Sequence, residues 1–324
     1  MRRELYYKRP VWLRTWAVAA FMMLLILAKP AAASTPATDQ KTFASPQEAI
    51  QALTEAIKSD DQAALTAIFG PDAEDLISSG DPVADGRGRE RFLHAFAEKN
   101  SIEQTDNDTA ILHVGDKDYP FPIPLVRQDK TWFFDTPAGK EEILNRRIGK
   151  NELRTIAVLN AYTEAQREYA AKDRDGNCIL EFAQKLISSD GKKDGLYWPA
   201  AEGDEESPFG PLIAKATKEG YAGKLDAEEP EPFHGYLFKI LTAQGPHAKG
   251  GAFDYVVNGD MVLGYGLVAY PARYGASGIM TFIVNQEGII YQKDLGDKTP
   301  EAANMTTFDP DDTWTRCKDE ESAQ

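Results

Sequence analysis

The sequence predicts an α+β protein. Three observations support this class: apolar residues recur at helical spacing over 46–58, short runs rich in β-branched and aromatic residues occupy 110–134, and glycine-punctuated apolar runs occupy 235–293. A chain of 324 residues is long enough for two domains. We expect a signal peptide over 1–33, a linker over 34–41, an N-terminal domain over 42–136 and a C-terminal domain over 137–324.

The first 33 residues have the pattern of a secretory signal peptide. Basic residues are concentrated over 2–14, and a charge-free apolar run of 13 residues follows over 16–28. A membrane-spanning helix needs roughly 20 residues, so this run is too short to span. We expect cleavage after Ala33, a periplasmic or secreted protein, and no membrane span in the mature chain. An uncleaved N-terminal anchor is the alternative.

The charge of the chain excludes nucleic acid as a partner. The full chain has a net charge of −15, and removal of residues 1–33 leaves 30 basic and 50 acidic residues. A surface with this balance repels nucleic acid and anionic lipid. The remaining candidates are an envelope or extracellular protein, or a small ligand.

The chain has two cysteines, Cys178 and Cys317. In an oxidising compartment a single disulfide between them is the economical interpretation. Two unrelated buried thiols are the alternative.

The first half of the chain begins with helices. Ser45 can cap a helix over 46–58, with proline at the first helical position and Glu48 at capping-box spacing. Further helices are expected over 61–69 and 87–99, and strands over 110–114, 119–127 and 131–134. Helices followed by antiparallel strands resemble the cone-shaped fold of nuclear transport factor 2 (NTF2) and ketosteroid isomerase over about residues 42–135. That resemblance implies a pocket, either open to a small molecule or filled by side chains.

The second half begins with a helix, expected over 138–172 with a break near Gly149. Strands are expected over 235–242, 253–257, 261–270, 279–284 and 288–293. Asn258-Gly259 is a strong hairpin signal between the second and third of these. Gly264 and Gly266 share one strand face, where we expect them to let the long helix approach closely.

A long helix followed by an antiparallel meander, together with the phrase AYPARYGASGIMTFIVNQEGII, resembles the soluble part of a type IV pilin or pseudopilin. The chain departs from pilins because its apolar segment lies about 120 residues before the helix, separated from it by a domain. It therefore cannot be a pilin assembly stem.

Several specific phrases resemble the DUF2950 family of exported bacterial proteins. They are DGLYWP, HGYLFKILTAQGP, FDYVVNGDMVLGYGLVAYPARYG and GIMTFIVNQEGIIYQKDLG, all within 160–310. The resemblance implies an extracytoplasmic protein and supplies no catalytic residue.

The best cation-binding pattern is DRDGNCILE, residues 173–181. Asp173, Asp175 and Asn177 are spaced like the first oxygen ligands of a calcium loop, and Glu181 is a candidate fourth. The pattern departs from the EF-hand, which requires glycine where Cys178 stands. A turn in which these side chains bond backbone amides is the alternative.

Asp81, Asp85 and Arg89 lie beside a helix start and are candidate pocket residues of the first domain. A buried carboxylate there could act as a base. A helix cap with a surface ion pair is the alternative.

These observations favour a non-enzymatic binding or envelope-associated structural protein, with no cofactor other than the candidate calcium. A small-molecule-binding, hydrolase or isomerase activity in the N-terminal pocket is the alternative function.

Overall fold

The structure, a computed structural model, describes residues 35–174, 176–201, 203–221, 225 and 230–317. Helices and short strands come first, then one long helix, then a second group of strands. The predicted α+β class is confirmed. The predicted signal peptide lies outside the described residues. Within the described ranges, every helix is too short or too polar to cross a membrane.

Side-chain caps explain where three of the first four helices begin. Ser45, Asp61 and Asp81 each accept a hydrogen bond from the amide three residues further on, at 2.9 to 3.2 Å. These caps satisfy amides that a first helical turn leaves without a partner. The helices are α1 (Pro46–Lys58), α2 (Gln62–Phe69), α3 (Glu74–Ile77) and α4 (Pro82–Glu98), with a 3-10 turn at Pro71–Ala73.

The first sheet is antiparallel and packs against α1 and α2. Leu53, Leu65 and Phe134 are buried in the core between them. The strand predicted over 119–127 is interrupted, because alternate prolines from 120 to 124 have no amide to donate to a neighbouring strand. The strands are β1 (Asn100–Gln104), β2 (Thr109–Val114), β3 (Tyr119–Pro120), β4 (Leu125–Gln128) and β5 (Thr131–Phe134), in the order β1-β2-β4-β5 with β3 beside β2.

One long helix, α5 (Thr136–Tyr169), runs past both groups of strands. The break predicted near Gly149 is wrong. Glycine costs about 1 kcal/mol in a helix interior, and here buried neighbours offset that cost. Ile148 is buried, and Asn151 donates to the carbonyl of Ser277 at 2.9 Å.

The second main sheet is an antiparallel meander that packs against α5. Tyr162 of α5 donates to the carbonyl of Gly266 at 3.0 Å. After α6 (Gly210–Lys218), this sheet contains β6 (Tyr236–Leu241), β11 (Gly266–Pro271), β12 (Met280–Asn285), β13 (Tyr291–Asp294) and β15 (Thr315–Arg316), in the order β15-β13-β12-β11-β6. Shorter strands flank it: β7 (Ala243–Gln244), β8 (Phe253–Asp254), β9 (Val256–Val257), β10 (Asp260–Met261) and β14 (Thr307–Phe308), with a 3-10 segment at Gly296–Asn304.

Glycines shape two places in this half. The predicted Asn258-Gly259 hairpin is confirmed: it joins β9 to β10, with φ of 55° at Asn258 and 103° at Gly259. The reason predicted for Gly264 is wrong. A Cβ there would lie 2.8 Å from the ring of Tyr255, so its missing side chain makes room for a tyrosine and not for α5.

Candidate functional site

A cavity of about 430 Å³ lies between α1, α2, α3, α4 and α5, and the segments between β3 and β4 and just after α6 complete its lining. This volume is within the range of small-molecule sites in proteins. Its floor is apolar, formed by side chains from α1, α2, α3, α4, α5 and the segment between β3 and β4. These side chains are Ile57, Leu65, Phe69, Leu76, Ile77, Phe92, Phe121, Ile123 and Ile143.

The polar wall of the cavity is basic. It contains two carboxylates, Asp85 and Glu219, against seven cationic side chains, although acidic residues outnumber basic ones by 51 to 36 in the whole chain. The cations come from α4 and from the middle of α5. They are Arg87, Arg89, Arg91, Arg146, Arg147, Lys150 and Arg154.

Three of these cations are held by protein groups. Arg89 pairs with Asp60 at 3.1 Å, and Arg146 pairs with Glu142 one turn away. Arg147 donates to two carbonyls in α3, 2.6 Å and 2.7 Å from its Nη1 and Nη2 atoms. Burial lowers the pKa of Arg147. These residues support the wall of the cavity.

Among the described residues, a carboxylate lies within 4 Å of only one of the other four cations. Arg87 pairs with Glu219 at 3.0 Å. Arg154 donates to a histidine, and the described part of the chain places no carboxylate within 4 Å of Arg91 or Lys150. Arg91 and Lys150 are exposed at the rim of the cavity. Burial and the neighbouring positive charges lower the pKa of both side chains.

His234 supports the cationic wall from behind. It is buried, and its Nδ1 accepts from Arg154 Nη1 at 3.0 Å, while its Nε2 lies 3.4 Å from Glu219 Oε2. Burial, and then the charge of Arg154, lower the pKa of His234 to about 4. The ring is therefore neutral at neutral pH, and its acceptor nitrogen orients the Arg154 guanidinium.

The predicted pocket residues occupy different places. Asp85 and Arg89 line the cavity, and Asp85 accepts from both the amide and the hydroxyl of Ser79, at 2.9 and 2.7 Å. Asp81 lies outside the lining and is 1% exposed. Asp81 caps α4, and Arg89 pairs with Asp60. Both contacts agree with the alternative interpretation given above, a helix cap with a surface ion pair.

Asp81 also ties the two halves of the chain together. Its Oδ2 accepts from the amide of Gly235 at 2.7 Å and from the hydroxyl of Tyr221 at 3.0 Å. Burial raises the pKa of Asp81, although the hydrogen bonds that it accepts lower it, and burial also raises that of Tyr221. Because both carboxylate oxygens accept protein hydrogen bonds and neither lines the cavity, Asp81 is a structural tie.

The candidate calcium loop is held by its own backbone. Asp173 accepts from the amides of Gly176 and Cys178 at 2.7 and 2.9 Å, and Asn177 accepts from the amide of Ile179. Glu181 accepts from Asn177. Asp175 lies outside the described residues. No group of three or more His, Cys, Asp or Glu suited to a metal occurs among the residues that the structure describes. Calcium binding stays a prediction.

The two cysteines are not joined in the structure. Cys178 is exposed and adopts a positive φ of 66°, and the thiol of Cys317 donates to Gln292 at 3.4 Å. The predicted disulfide stays a prediction that mass measurement before and after reduction can test.

Sequence reasoning identified Arg89 but missed the other six cations of the lining, although the sequence contains a signal for four of them. Lys150 and Arg154 are four residues apart on α5, as are Arg87 and Arg91 on α4, so each pair shares a helix face. Two pairs of cations at helical spacing in an acidic chain indicate a candidate anion-binding surface. Glu219 and Tyr221 carry no such local signal.

A family model described as a protein of unknown function (DUF2950) matches residues 40–317. No curated protein and no solved structure matches the chain. The matched range includes every residue that lines the cavity, and the match assigns a role to none of them.

Proposed function

The chain belongs to the DUF2950 family, whose description assigns no activity, and from the cavity we propose that this protein binds a small amphipathic anion without transforming it. The ligand has an apolar body, which contacts the apolar floor of the cavity. Its anionic group lies at the rim, beside Arg91 and Lys150. With the predicted signal peptide, this makes the protein an extracytoplasmic binding protein.

The observation that supports the proposal is the unequal distribution of charge and apolar surface around one cavity. Apolar side chains on the floor favour hydrocarbon, since each buried methylene contributes about 0.8 kcal/mol. Uncompensated cations at the rim favour an anion. Cations outnumber carboxylates in the lining, whereas acidic residues outnumber basic ones in the whole chain. An apolar pocket with a few convergent polar groups is the usual form of a ligand site.

Binding is favoured over catalysis by the way the acidic groups are used. Asp85 is bonded to Ser79 and Glu219 is paired with Arg87, so both carboxylates of the lining already have partners. The buried carboxylate, Asp81, faces Tyr221 and Gly235. A general base must reach the proton that it abstracts. Asp81 lies outside the lining, Asp85 accepts two hydrogen bonds from Ser79, and Glu219 lies 3.0 Å from Arg87.

The test is calorimetric titration of the purified protein with decanoate, decanol and decyltrimethylammonium, each below its micelle concentration. We expect decanoate to bind most tightly and the cation not to bind. Octanoate, which is shorter by two methylenes, should bind about 15-fold more weakly than decanoate, because each buried methylene contributes about 0.8 kcal/mol. Absence of decanoate binding would overturn the proposal.

Two glycines of one helix provide a matched pair of variants. Gly88 lines the cavity and Gly86 does not, and a Cβ at either position meets no atom closer than 3.9 Å. Gly88→Met should fill part of the cavity and weaken decanoate binding at least tenfold. Gly86→Met should leave the affinity within twofold of the wild type. Equal effects of the two substitutions would place the ligand elsewhere.

A further inference from the structure

We infer that the anionic group of the ligand is a phosphomonoester, bound by Arg91, Lys150 and Arg154. The inference rests on the proposed binding function and specifies the chemistry of the headgroup. The class of ligand is a single-chain amphiphile that ends in a dianionic phosphate.

The first step of the argument is the balance of charge at the rim. Of the cations from α4 and α5 that share this wall, Arg87 is neutralised by Glu219 at 3.0 Å. Arg154 has a neutral partner, His234, at 3.0 Å. Arg91 and Lys150 have no carboxylate within 4 Å among the described residues. Three positive charges therefore remain uncompensated, and one carboxylate would leave two of them without a counter-charge.

The second step is the arrangement of these cations on two helices. Arg87 and Arg91 are four residues apart on α4, and Lys150 and Arg154 are four residues apart on α5. Like charges at this spacing destabilise a helix. The arrangement therefore costs stability in the empty protein, and a multiply charged anion placed between the helices offsets that cost.

The third step is the shape of the donors. A guanidinium presents paired N–H groups that match two oxygens of a phosphate, and an ammonium supplies a compact third charge. A phosphomonoester has three acceptor oxygens and a charge close to −2 above its second pKa of about 6. Two arginines and one lysine match that set of oxygens better than they match the two oxygens of a carboxylate.

The other titratable groups that face this wall have partners within the protein. Glu219 is paired with Arg87, and Asp85 accepts from Ser79. His234 lies behind Arg154, and Tyr221 donates to Asp81. A ligand whose charge does not change with pH shows what the protein's own groups contribute to a pH-dependent affinity, and the remainder reports the phosphate.

The test compares decyl phosphate with decyl methyl phosphate, a diester that carries one charge at every pH used. Only about a tenth of a monoester with a second pKa of about 6 is dianionic at pH 5. We expect the affinity for decyl phosphate to rise about tenfold from pH 5 to pH 8, and the affinity for the diester to change by less than twofold.

Variants locate the headgroup. Lys150→Gln should weaken decyl phosphate binding at pH 8 about tenfold, and Arg91→Gln should do the same. Arg167→Gln removes one charge from α5 outside the cavity lining and should leave the affinity unchanged. Lys150 and Arg91 are exposed, so these substitutions leave the core intact.

The outcomes separate the two proposals. If decanoate binds but the monoester and the diester show the same affinity at pH 5 and pH 8, the phosphate inference is wrong and the binding function stands. The same conclusion follows if Lys150→Gln and Arg167→Gln have equal effects. If decanoate does not bind, the binding function is overturned, and the phosphate inference falls with it because it rests on that function.

Discussion

Asp81 and His234 are almost wholly buried, with 1% and 4% of their surface exposed, and each is held by partners that are distant in the chain. Asp81 reaches Gly235, and His234 reaches Arg154. Burying an ionisable group without partners is costly, so these contacts are conditions for the fold as well as for the cavity wall. At this scale Asp81 joins the two halves of the chain, and His234 supports the cationic wall of the cavity.

His234 makes the stability of the protein depend on pH. Its folded pKa of about 4 lies below the ordinary histidine value of 6.5, so the unfolded chain binds the proton more tightly. The stabilising contribution of the neutral ring is present above pH 6.5 and is lost as the pH falls toward 4. We expect wild-type protein to lose about 2 to 3 kcal/mol through this residue between pH 7 and pH 4.5.

The measurement is urea unfolding of wild type and His234→Gln at both pH values. The variant should be less stable at pH 7 and should lose less stability on acidification than the wild type. His94→Gln, at an exposed position, is the control and should follow the wild type. Parallel pH profiles for wild type and His234→Gln would contradict the assigned role.

Among the elements, α4 is unusual for a helix that borders a core. None of its 17 residues is fully buried, and two glycines, Gly86 and Gly88, lie in its interior. The space around their Cβ positions is open. Helices in proteins are stabilised chiefly by tertiary packing, so α4 is a weakly held wall of the cavity. Gly88 and Arg91 are the residues of this helix that the proposed ligand would contact.

Replacing these glycines with alanine should stabilise the protein. Alanine is favoured over glycine in a helix interior by about 1 kcal/mol, and neither Cβ meets a steric obstacle. We expect Gly86→Ala and Gly88→Ala each to raise the free energy of unfolding by about 1 kcal/mol in urea denaturation. Gly139→Ala on α5 is the control that should destabilise the protein, because a Cβ there would clash with the carbonyl oxygen of Pro122. Destabilisation by Gly86→Ala would contradict this account of α4.

In the whole molecule, α5 packs into both hydrophobic cores. Ile143 contacts the N-terminal core, and Tyr162 lies in the core beneath the second sheet. Arg273, in the loop after β11, pairs with Glu74 of the N-terminal half at 2.9 Å. The predicted boundary near residue 137 therefore coincides with the start of an element that both halves share, and the division into two domains stays a prediction.

Because the halves share a helix and the Asp81 tie, we expect them to unfold in one transition. Trp132 belongs to the first core and Trp198 to the second. In each variant that keeps only one of these two tryptophans, fluorescence and far-ultraviolet circular dichroism should give the same urea midpoint. Two separate midpoints would show instead that the halves are independent domains. An intact tie is required for the single transition, so Asp81→Asn should broaden it or split it.

Local interactions explain which parts of this fold could be predicted. The start of α1 depends on Ser45 and Pro46, and the β9–β10 hairpin depends on Asn258 and Gly259, all of which act on residues next to them in the chain. A pattern confined to a few neighbours is fully present in the sequence. The α+β class followed from such patterns.

The cavity could be predicted only in part. Asp85 and Arg89 were identified because they follow a recognisable helix start, whereas Glu219 and Tyr221 join the lining from more than 120 positions further along the chain. The continuity of α5 through Gly149 was missed for a similar reason, since the contact from Asn151 to Ser277 spans 126 residues.

The sequence by itself determined the fold class, the caps, the turns and the excess of negative charge, because each of these depends on composition or on short-range contacts. Only the tertiary structure decided that two cationic pairs share one cavity wall and that its two carboxylates contact Ser79 and Arg87. Those facts depend on which distant segments pack together, and packing depends on the whole buried surface of the chain.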